Sequence, residues 1–450
     1  MRIVIVGGGV VGHSLAEHLV QDNHHLSLVE LDAELCRSIS EKLDLQILNG
    51  SGSSPSVLLD AGLDDADMVL AVTPNDEVNM VVCGIAAQYN VGRRIARLRN
   101  REFAKENAVI DLERMGITHV IHPEEVLVDH ILQFVETPHA VESANFEDGR
   151  ILLRGYRVRN DMELAGKTPS EIRGQIAPAV VLFAAVVRHG EGMIPDGDMR
   201  FQAGDIVYTI FPHESLERFL GLVAIEHKPS RKIILTGSSY STIQLARALD
   251  TTDHKVVLVD PSAEHAEKAA AQLSRVEVIH GDATQHDLLR DINVESASFF
   301  IAASDAADYN MLSALLAKAE GAHEVITTTT EWQHDRLFQS IGIDHVLNPR
   351  LTTAREILEI IARGHIGAVV KLAEVDIEAV RFDVGAGAAI TGESLRNMGR
   401  KLKGALVGII IRNKVMILPT GDTVIEEGDH VIVVVHQKRH AAISKLFQGR

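Results

Sequence analysis

Gly7-Gly8-Gly9-Val10-Val11-Gly12 sets three glycines at GxGxxG spacing between an apolar run, Arg2 to Val6, and a helix-like stretch through Leu15 to Leu19. In that setting each glycine has its own task. Gly7 permits a tight turn, Gly9 lets backbone N–H groups approach a pyrophosphate, and Gly12 lets the helix pack closely on the strand. Phosphate charge would then lie at a helix N-terminus, where open N–H groups and the helix dipole favour an anion. Glu30 stands 18 positions after Gly12, near the roughly 20 expected for a carboxylate that accepts hydrogen bonds from both ribose hydroxyls. Such a group repels a 2′-phosphate. The expected ligand is therefore an adenosine compound without one, NAD or NADH, or else ATP or ADP, rather than NADP.

Further residues belong to the same edge. Asp32 follows Glu30 at the strand end, and Gly50-Ser51 can approach the adenine. Thr73, Asn75 and Asn79 lie on the next strand-to-loop edge, where ligands of parallel α/β sheets sit. In Arg94-Ile95-Ala96-Arg97-Leu98-Arg99, strand alternation puts Ile95, Arg97 and Arg99 on one side. A guanidinium there reaches an anionic ligand or an adjoining subunit, with Arg97 the first choice, or else is simply solvated.

The elements that hold these residues occur twice. Leu28-Val29-Glu30 matches Leu258-Val259-Asp260, Asn79-Met80 matches Asn310-Met311, and Gly204-Asp205 matches Gly428-Asp429, at offsets of 224 to 231. Each copy opens with apolar runs alternating with helical stretches, which reads as βαβ units around a parallel sheet, and closes in β-rich runs with Gly and Pro turns. The fold class expected is α/β: two Rossmann-type parallel-sheet domains in tandem, each followed by a small α+β lobe. The boundaries expected are a first Rossmann domain 1–123, a connecting helix 124–140 and a lobe 141–225, then a second Rossmann domain 230–350, a connecting helix 351–368 and a lobe 369–450. The apolar stripes mark the helices at Glu124–Glu136 and Ala354–Arg363, and charged Glu226–Lys232 links the copies.

The second glycine turn has degenerated to Gly237-Ser238-Ser239-Tyr240-Ser241-Thr242. Asp260 keeps the ribose position and Gly281-Asp282-Ala283 follows. A weak second site at Gly237, Ser239, Asp260, Asp282 and Ala283, or none, is the expectation.

Composition excludes several classes. With 44 Lys plus Arg against 62 Asp plus Glu, the formal charge of −18 repels polyanions, so nucleic acid is not an expected partner. Cys36 and Cys83 are the only cysteines, too few for a disulfide framework and in keeping with a reducing cytoplasm. No secretory leader or apolar stretch of about 18 residues is seen, so the chain is expected to be neither secreted nor membrane-spanning. The 22 histidines contain no HExxH, no metal site is expected, and there is no GxxxxGK[ST] loop. No positioned acid or base suggests turnover, so no catalytic residue is assigned and binding without reaction is expected. The lone Trp332 builds no stacking platform.

These residues resemble the TrkA family of Trk potassium-uptake regulators, built from RCK (KTN) nucleotide-binding domains alternating with TrkA C-terminal domains. The resemblance runs through Gly7–Gly12 with Glu30, Asp64-Asp65-Ala66-Asp67, Asp76–Met80 and Arg94–Arg99, and through Leu164–Thr168, Ile194–Asp198 and Ala203–Asp205 of the lobe, echoed by Thr391–Ser394 and Glu427–Asp429. It implies a cytoplasmic gating ring, homotetrameric and peripheral on the inner face of the membrane. The ring would dock on an integral Trk-type potassium channel subunit and respond to NAD(H) or to ATP and ADP. It also implies that Gly7 to Val11, Glu30, Thr73 and Arg97 form the first site. An NAD-dependent oxidoreductase and a regulator of a different cation transporter are the competing readings.

Overall fold

The computed structural model describes residues 1–21, 24–103, 110–147, 149–177, 179–223, 231–250, 254–329, 341–362, 366–372 and 375–449. Trp332 lies outside them, as do Arg363 and most of the link read at Glu226–Lys232.

The first repeat begins β1 (Arg2–Val6), α1 (Val10–Gln21), β2 (His25–Glu30), α2 (Ala33–Ser40), β3 (Gln46–Asn49), α3 (Pro55–Asp60), β4 (Met68–Ala71), α4 (Asp76–Gln88), β5 (Arg93–Arg97), β6 (His119–Ile121) and α5 (Pro123–Glu136). Its strands form a parallel sheet in the order β3-β2-β1-β4-β5-β6. β1 and β4 are buried on both faces, as a parallel sheet covered by helices requires. The order reverses between β1 and β4, so the crevice for a ligand opens at the carboxyl ends of those strands, beside the glycine turn. Cys36 and Cys83 are buried on α2 and α4.

A lobe follows: β7 (Ala140–Phe146), β8 (Ile151–Arg157), α6 (Pro169–Ile176), β9 (Leu182–Arg188), β10 (Glu191–Met193), β11 (Ile206–Pro212) and α7 (Leu216–Leu222). The second repeat runs β12 (Lys232–Thr236), α8 (Tyr240–Asp250), β13 (Lys255–Asp260), α9 (Ala263–Ala270), β14 (Glu277–His280), α10 (His286–Asp291), β15 (Phe299–Ala302), α11 (Ala307–Ala319), β16 (Glu324–Thr328), β17 (His345–Leu347) and α12 (Pro349–Ala362). Its lobe is β18 (Ile366–Lys371), β19 (Ile377–Asp383), α13 (Leu395–Met398), β20 (Ala405–Arg412), β21 (Val415–Ile417), β22 (His430–His436) and α14 (Gln437–Phe447). The second parallel sheet, β14-β13-β12-β15-β16-β17, repeats the first strand for strand. The two antiparallel sheets, β10-β9-β11-β8-β7 and β21-β20-β22-β19-β18, share one order as well.

The repeats do not fold as separate halves. One compact unit holds both parallel sheets, in Met1–Ile131 and Ser230–Leu358, and the other holds both lobes, in Leu132–Pro229 and Glu359–Arg450. Within the second unit the two antiparallel sheets share an apolar core: Leu153, Ala185, Tyr208 and Ile210 from one lobe pack with Ile377, Ala379, Ile409, Ile432 and Val434 from the other. The outer face of the first sheet is covered by Ile172 of α6 and Phe219 of α7, that of the second by Met398, Ile443 and Phe447. This is a four-layer α/β/β/α arrangement, each sheet burying both faces.

The Gly-Asp signatures of the lobes are structural. Asp205 is 2% exposed and takes Nε and Nη2 of Arg188 at 2.8 and 2.7 Å, with the N–H of Gln202 at 2.8 Å. Asp429, 1% exposed, takes the same two atoms of Arg412 at 2.8 Å each and the N–H of Glu426 at 2.8 Å. Burial alone would raise these carboxyl pKa values, but the arginine and the backbone donor outweigh it and hold both below the usual range.

Candidate functional site

The glycine turn divides into positions that the fold needs and one that it does not. Gly7 has φ +107° and its N–H donates to Val29 O at 2.9 Å, tying the turn to β2. A Cβ on Gly12 would run into the Gly7 carbonyl oxygen, so α1 can approach β1 only through a glycine there. A Cβ on Gly8 would stand 2.9 Å from Ile39 Cδ1. Gly9 differs: a Cβ there would meet nothing within 4 Å. Val10 and Val11 open α1 behind it.

Glu30 ends β2 and closes on the turn. Its Oε2 accepts from Gly8 N at 2.6 Å and its Oε1 from Asp32 N at 2.9 Å, so the ribose-position carboxylate is oriented by the backbone on both sides. Asp32 has a structural task, capping α2 by accepting from Glu34 N and Leu35 N at 2.8 and 3.2 Å. Gly50 joins the edge through its N–H, donated to Glu30 O at 2.9 Å, and Ser51 Oγ lies 2.9 Å from Ser53 Oγ.

Asn79 is fully buried and clamps two strand ends together. Its Oδ1 accepts from Thr73 N and Thr73 Oγ1 at 3.0 and 2.7 Å, while its Nδ2 donates to Thr73 O and Arg97 O at 3.0 and 2.7 Å. All four of its hydrogen-bonding positions are spent. It positions Thr73, against which the glycine turn packs, and the backbone of Arg97. Asn75 caps α4, accepting from Val78 N at 2.8 Å.

Arg97 ends β5, half-buried. Its Nε is a buried donor with no hydrogen-bond partner among the described residues. Burial, and after it the neighbouring Arg99, lowers the guanidinium pKa from its ordinary value. A desolvated, unpaired cation at the carboxyl edge of a nucleotide-type sheet fits an anionic ligand. Arg99, expected on the same strand face, lies past the end of β5, because Asp76 Oδ2 captures the N–H groups of Arg99 and Asn100 at 2.8 and 2.7 Å. Its side chain is exposed and pairs with Glu124 at 3.1 Å.

Asn75 and Arg99 line a cavity of about 500 Å³ with Asp76, Glu77 and Glu124, and repeat two supplies Tyr240, Ser241 and Asp305 to the same wall. Sequence reasoning places Tyr240 and Ser241 in the second turn but does not join them, or Asp305, to the edge of repeat one. Tyr240 and Ser241 open α8 and Asp305 lies between β15 and α11, and nothing local in the sequence says which edge either segment faces.

The second turn keeps the first glycine alone. Gly237, φ +81°, donates to Val259 O at 2.8 Å as Gly7 does to Val29. Ser239 replaces Gly9, and its Oγ donates to Ala303 O at 2.7 Å while accepting from Thr242 N at 3.2 Å. Thr242 replaces Gly12 and is fully buried, with Oγ1 donating to Ala303 O at 3.0 Å. Repeat two thus caps its own helix at the place where an anion would take the N–H. Asp260, 3% exposed, accepts from Ser262 N at 2.7 Å. Asp282 accepts from Thr284 N and Oγ1, and the N–H of Ala283 donates to the Tyr309 hydroxyl at 3.1 Å. Asn310 repeats the Asn79 clamp on Ser304 and donates to Thr328 Oγ1, which stands where Arg97 does in repeat one. Among the described residues no group of three or more His, Cys, Asp or Glu could hold a metal ion.

The TrkA-N domain family matches residues 3–123 and again 233–349, and the TrkA-C domain family matches 379–448. The first lobe falls outside the second match yet repeats its strand order. The Trk system potassium uptake protein TrkA of Halomonas elongata is 31% identical over 453 residues, covering 100% of this chain and 99% of that one. A TrkA homolog of Archaeoglobus fulgidus is 30% identical over 450 residues, covering 100% of both. Among solved structures, the GsuK RCK domain aligns with TM-score 0.60 at 17% identity over 99% of this chain and 94% of its own. The GsuK channel bound to NAD aligns with TM-score 0.60 at 16% identity over 99% and 78%. At those identities the likeness carries the fold alone. No described helix is long and apolar enough to cross a membrane.

Proposed function

The chain belongs to the TrkA family of Trk system potassium uptake proteins, and from that premise we propose that it is a nucleotide-sensing regulatory subunit of a Trk-type potassium channel. It binds NAD or NADH, or ADP or ATP, in repeat one and does not turn the ligand over. The observation that carries this reading is Gly9: the fold accounts for Gly7 and Gly12 but leaves open space where a Gly9 side chain would stand. Close approach of a phosphate requires that space. The unpaired Nε of Arg97 at the same edge supports it, and the relatives' names supply the transport system.

The residues that would hold the ligand are the turn Gly7 to Gly12 for the pyrophosphate, Glu30 for the ribose hydroxyls, Gly50-Ser51 beside the adenine, and Thr73 and Arg97 at the phosphate side. Asn79, Asn75 and Asp32 position the backbone around them; Arg99 faces the neighbouring cavity. Glu30, already oriented by Gly8 and Asp32, can accept from two vicinal hydroxyls and disfavours a 2′-phosphate. Binding regulates the channel only if the ligand prefers one shape of the assembly over another. The assembly proposed is a cytoplasmic homotetramer, peripheral on the inner face of the membrane through its channel partner.

Calorimetric titration of the purified full chain with NADH, NAD, ADP and ATP tests the site. The expected result is one site per chain, bound about 100-fold more weakly in Gly9→Ala, with NADPH weaker than NADH; no binding, or tighter NADPH binding, overturns the ligand assignment. Light scattering tests the assembly: a tetramer is expected and a monomer contradicts it. Co-purification with a Trk-type membrane subunit tests the partner.

A further inference from the structure

Repeat two retains every strand of a nucleotide fold, an acid at the ribose position and the first glycine of the turn, yet its own side chains take up polar groups of the turn and of the adenine-side segment. The lost glycines explain the phosphate end, since the Ser239 and Thr242 hydroxyls take the place of an anion. They do not explain the base end. There the relevant exchange is Val78 for Tyr309, at corresponding positions one residue before Asn79 and Asn310.

Both side chains are half-buried at the rim of their sheet's core, Val78 in repeat one and Tyr309 in repeat two. Valine carries no polar atom and ends at its methyl groups. The tyrosine reaches the Gly281-Asp282-Ala283 turn, where its hydroxyl oxygen accepts the N–H of Ala283 at 3.1 Å. That turn corresponds to Gly50-Ser51-Gly52, the segment assigned above to the adenine. Burial, and then the nearby carboxylates of Asp282 and Asp260, pushes the Tyr309 phenol up to about 12 although the Ala283 N–H opposes the rise, so the hydroxyl stays protonated. The hydroxyl end of the ring therefore sits at the adenine-side turn. A planar aromatic group that accepts a backbone N–H there presents the shape and the acceptor of an adenine base.

The geometry points to a latent adenosine site in repeat two, occupied by the chain's own Tyr309 acting as the base. This rests on the reading that repeat one is a nucleotide site, because the assignment of the adenine edge comes from it. The closed copy is then held permanently in a liganded-like arrangement, and regulation falls to the open copy alone.

Adenosine is the probe, because it carries no phosphate and does not need the altered turn. Titrated calorimetrically into the full chain, it should bind one site per chain in the natural protein and two in Tyr309→Val, which restores the repeat-one residue. Tyr309→Leu keeps more of the apolar contact and gives the same readout if the valine variant is unstable in thermal unfolding. If natural protein binds none and the variant binds one, the latent site stands and the reading of repeat one fails. If the variants bind no more adenosine than the natural chain, or the natural chain already binds two, the inference is overturned.

Discussion

Two turns built on one plan have diverged in opposite directions. At Gly7–Gly12 the protein leaves space open beside Gly9; at Gly237–Thr242 the Ser239 hydroxyl stands in that place and caps the helix. Features present in both copies are those the fold itself needs: the first turn glycine with its bond to the neighbouring strand, the Asn79 and Asn310 clamps, and the Arg188–Asp205 and Arg412–Asp429 pairs. Features present once, Gly9 and the unpaired Arg97, have no structural task that repeat two must also meet. On the proposed reading the two features kept once, Gly9 and Arg97, serve the ligand, whereas the ribose-position acid is kept in both copies as Glu30 and Asp260.

Breaking what is kept twice should cost the most stability. Arg188→Ala and Arg412→Ala each strand a buried carboxylate and should destabilise by about 3 kcal/mol or more in denaturant unfolding, with similar losses in the two lobes. The pairs also set a pH dependence. Because the folded pKa values of Asp205 and Asp429 are depressed, their contribution is complete above the ordinary carboxylate range and is lost as pH falls through the lower folded values. Both variants should therefore flatten the acid limb of the stability profile. Asn79→Ala and Asn310→Ala leave buried partners unsatisfied and should cost roughly 2 kcal/mol each. A cost in one copy only would break the comparison.

The features kept once should behave the other way. Gly9→Ala should weaken ADP or NADH binding by about 100-fold, roughly 2.7 kcal/mol, while leaving the thermal midpoint unchanged, since the added methyl meets nothing. Arg97→Ala should weaken binding by about tenfold, near 1.4 kcal/mol, with stability held or slightly raised because a desolvated cation is removed. Ser239→Gly sharpens the contrast from the other side. It removes a self-made cap for about 1 kcal/mol or less of stability and leaves binding in repeat one untouched.

The periodicities and the duplication announced the two parallel sheets, because runs such as Ile3–Val6 and Met68–Ala71 are apolar on both faces and alternate with helical stretches. The glycine turn and Glu30 were legible from spacing. Other features were not. The second long helix begins at Pro349, five residues before the apolar stripe announced it, because Asn348 Oδ1 caps the N–H groups of Arg350 and Leu351. Asn79 reads in sequence as a polar residue at a binding edge; only the structure spends all its hydrogen bonds on Thr73 and Arg97. The shared core of the lobes was invisible, since a strand with an apolar face reads alike whether it covers its own helix or another sheet. Tyr309 looked like one more aromatic on a helix, and its reach to Ala283 depends on a turn 26 residues earlier.

The central claim is that one copy senses nucleotide and the other does not. The most direct measurement is the number of ADP molecules bound per natural chain at saturation, by calorimetry, alongside Gly9→Ala at equal thermal stability. One ADP per natural chain, bound about 100-fold more weakly in the variant, is the predicted result. Two per chain, or undiminished binding in Gly9→Ala, would contradict it.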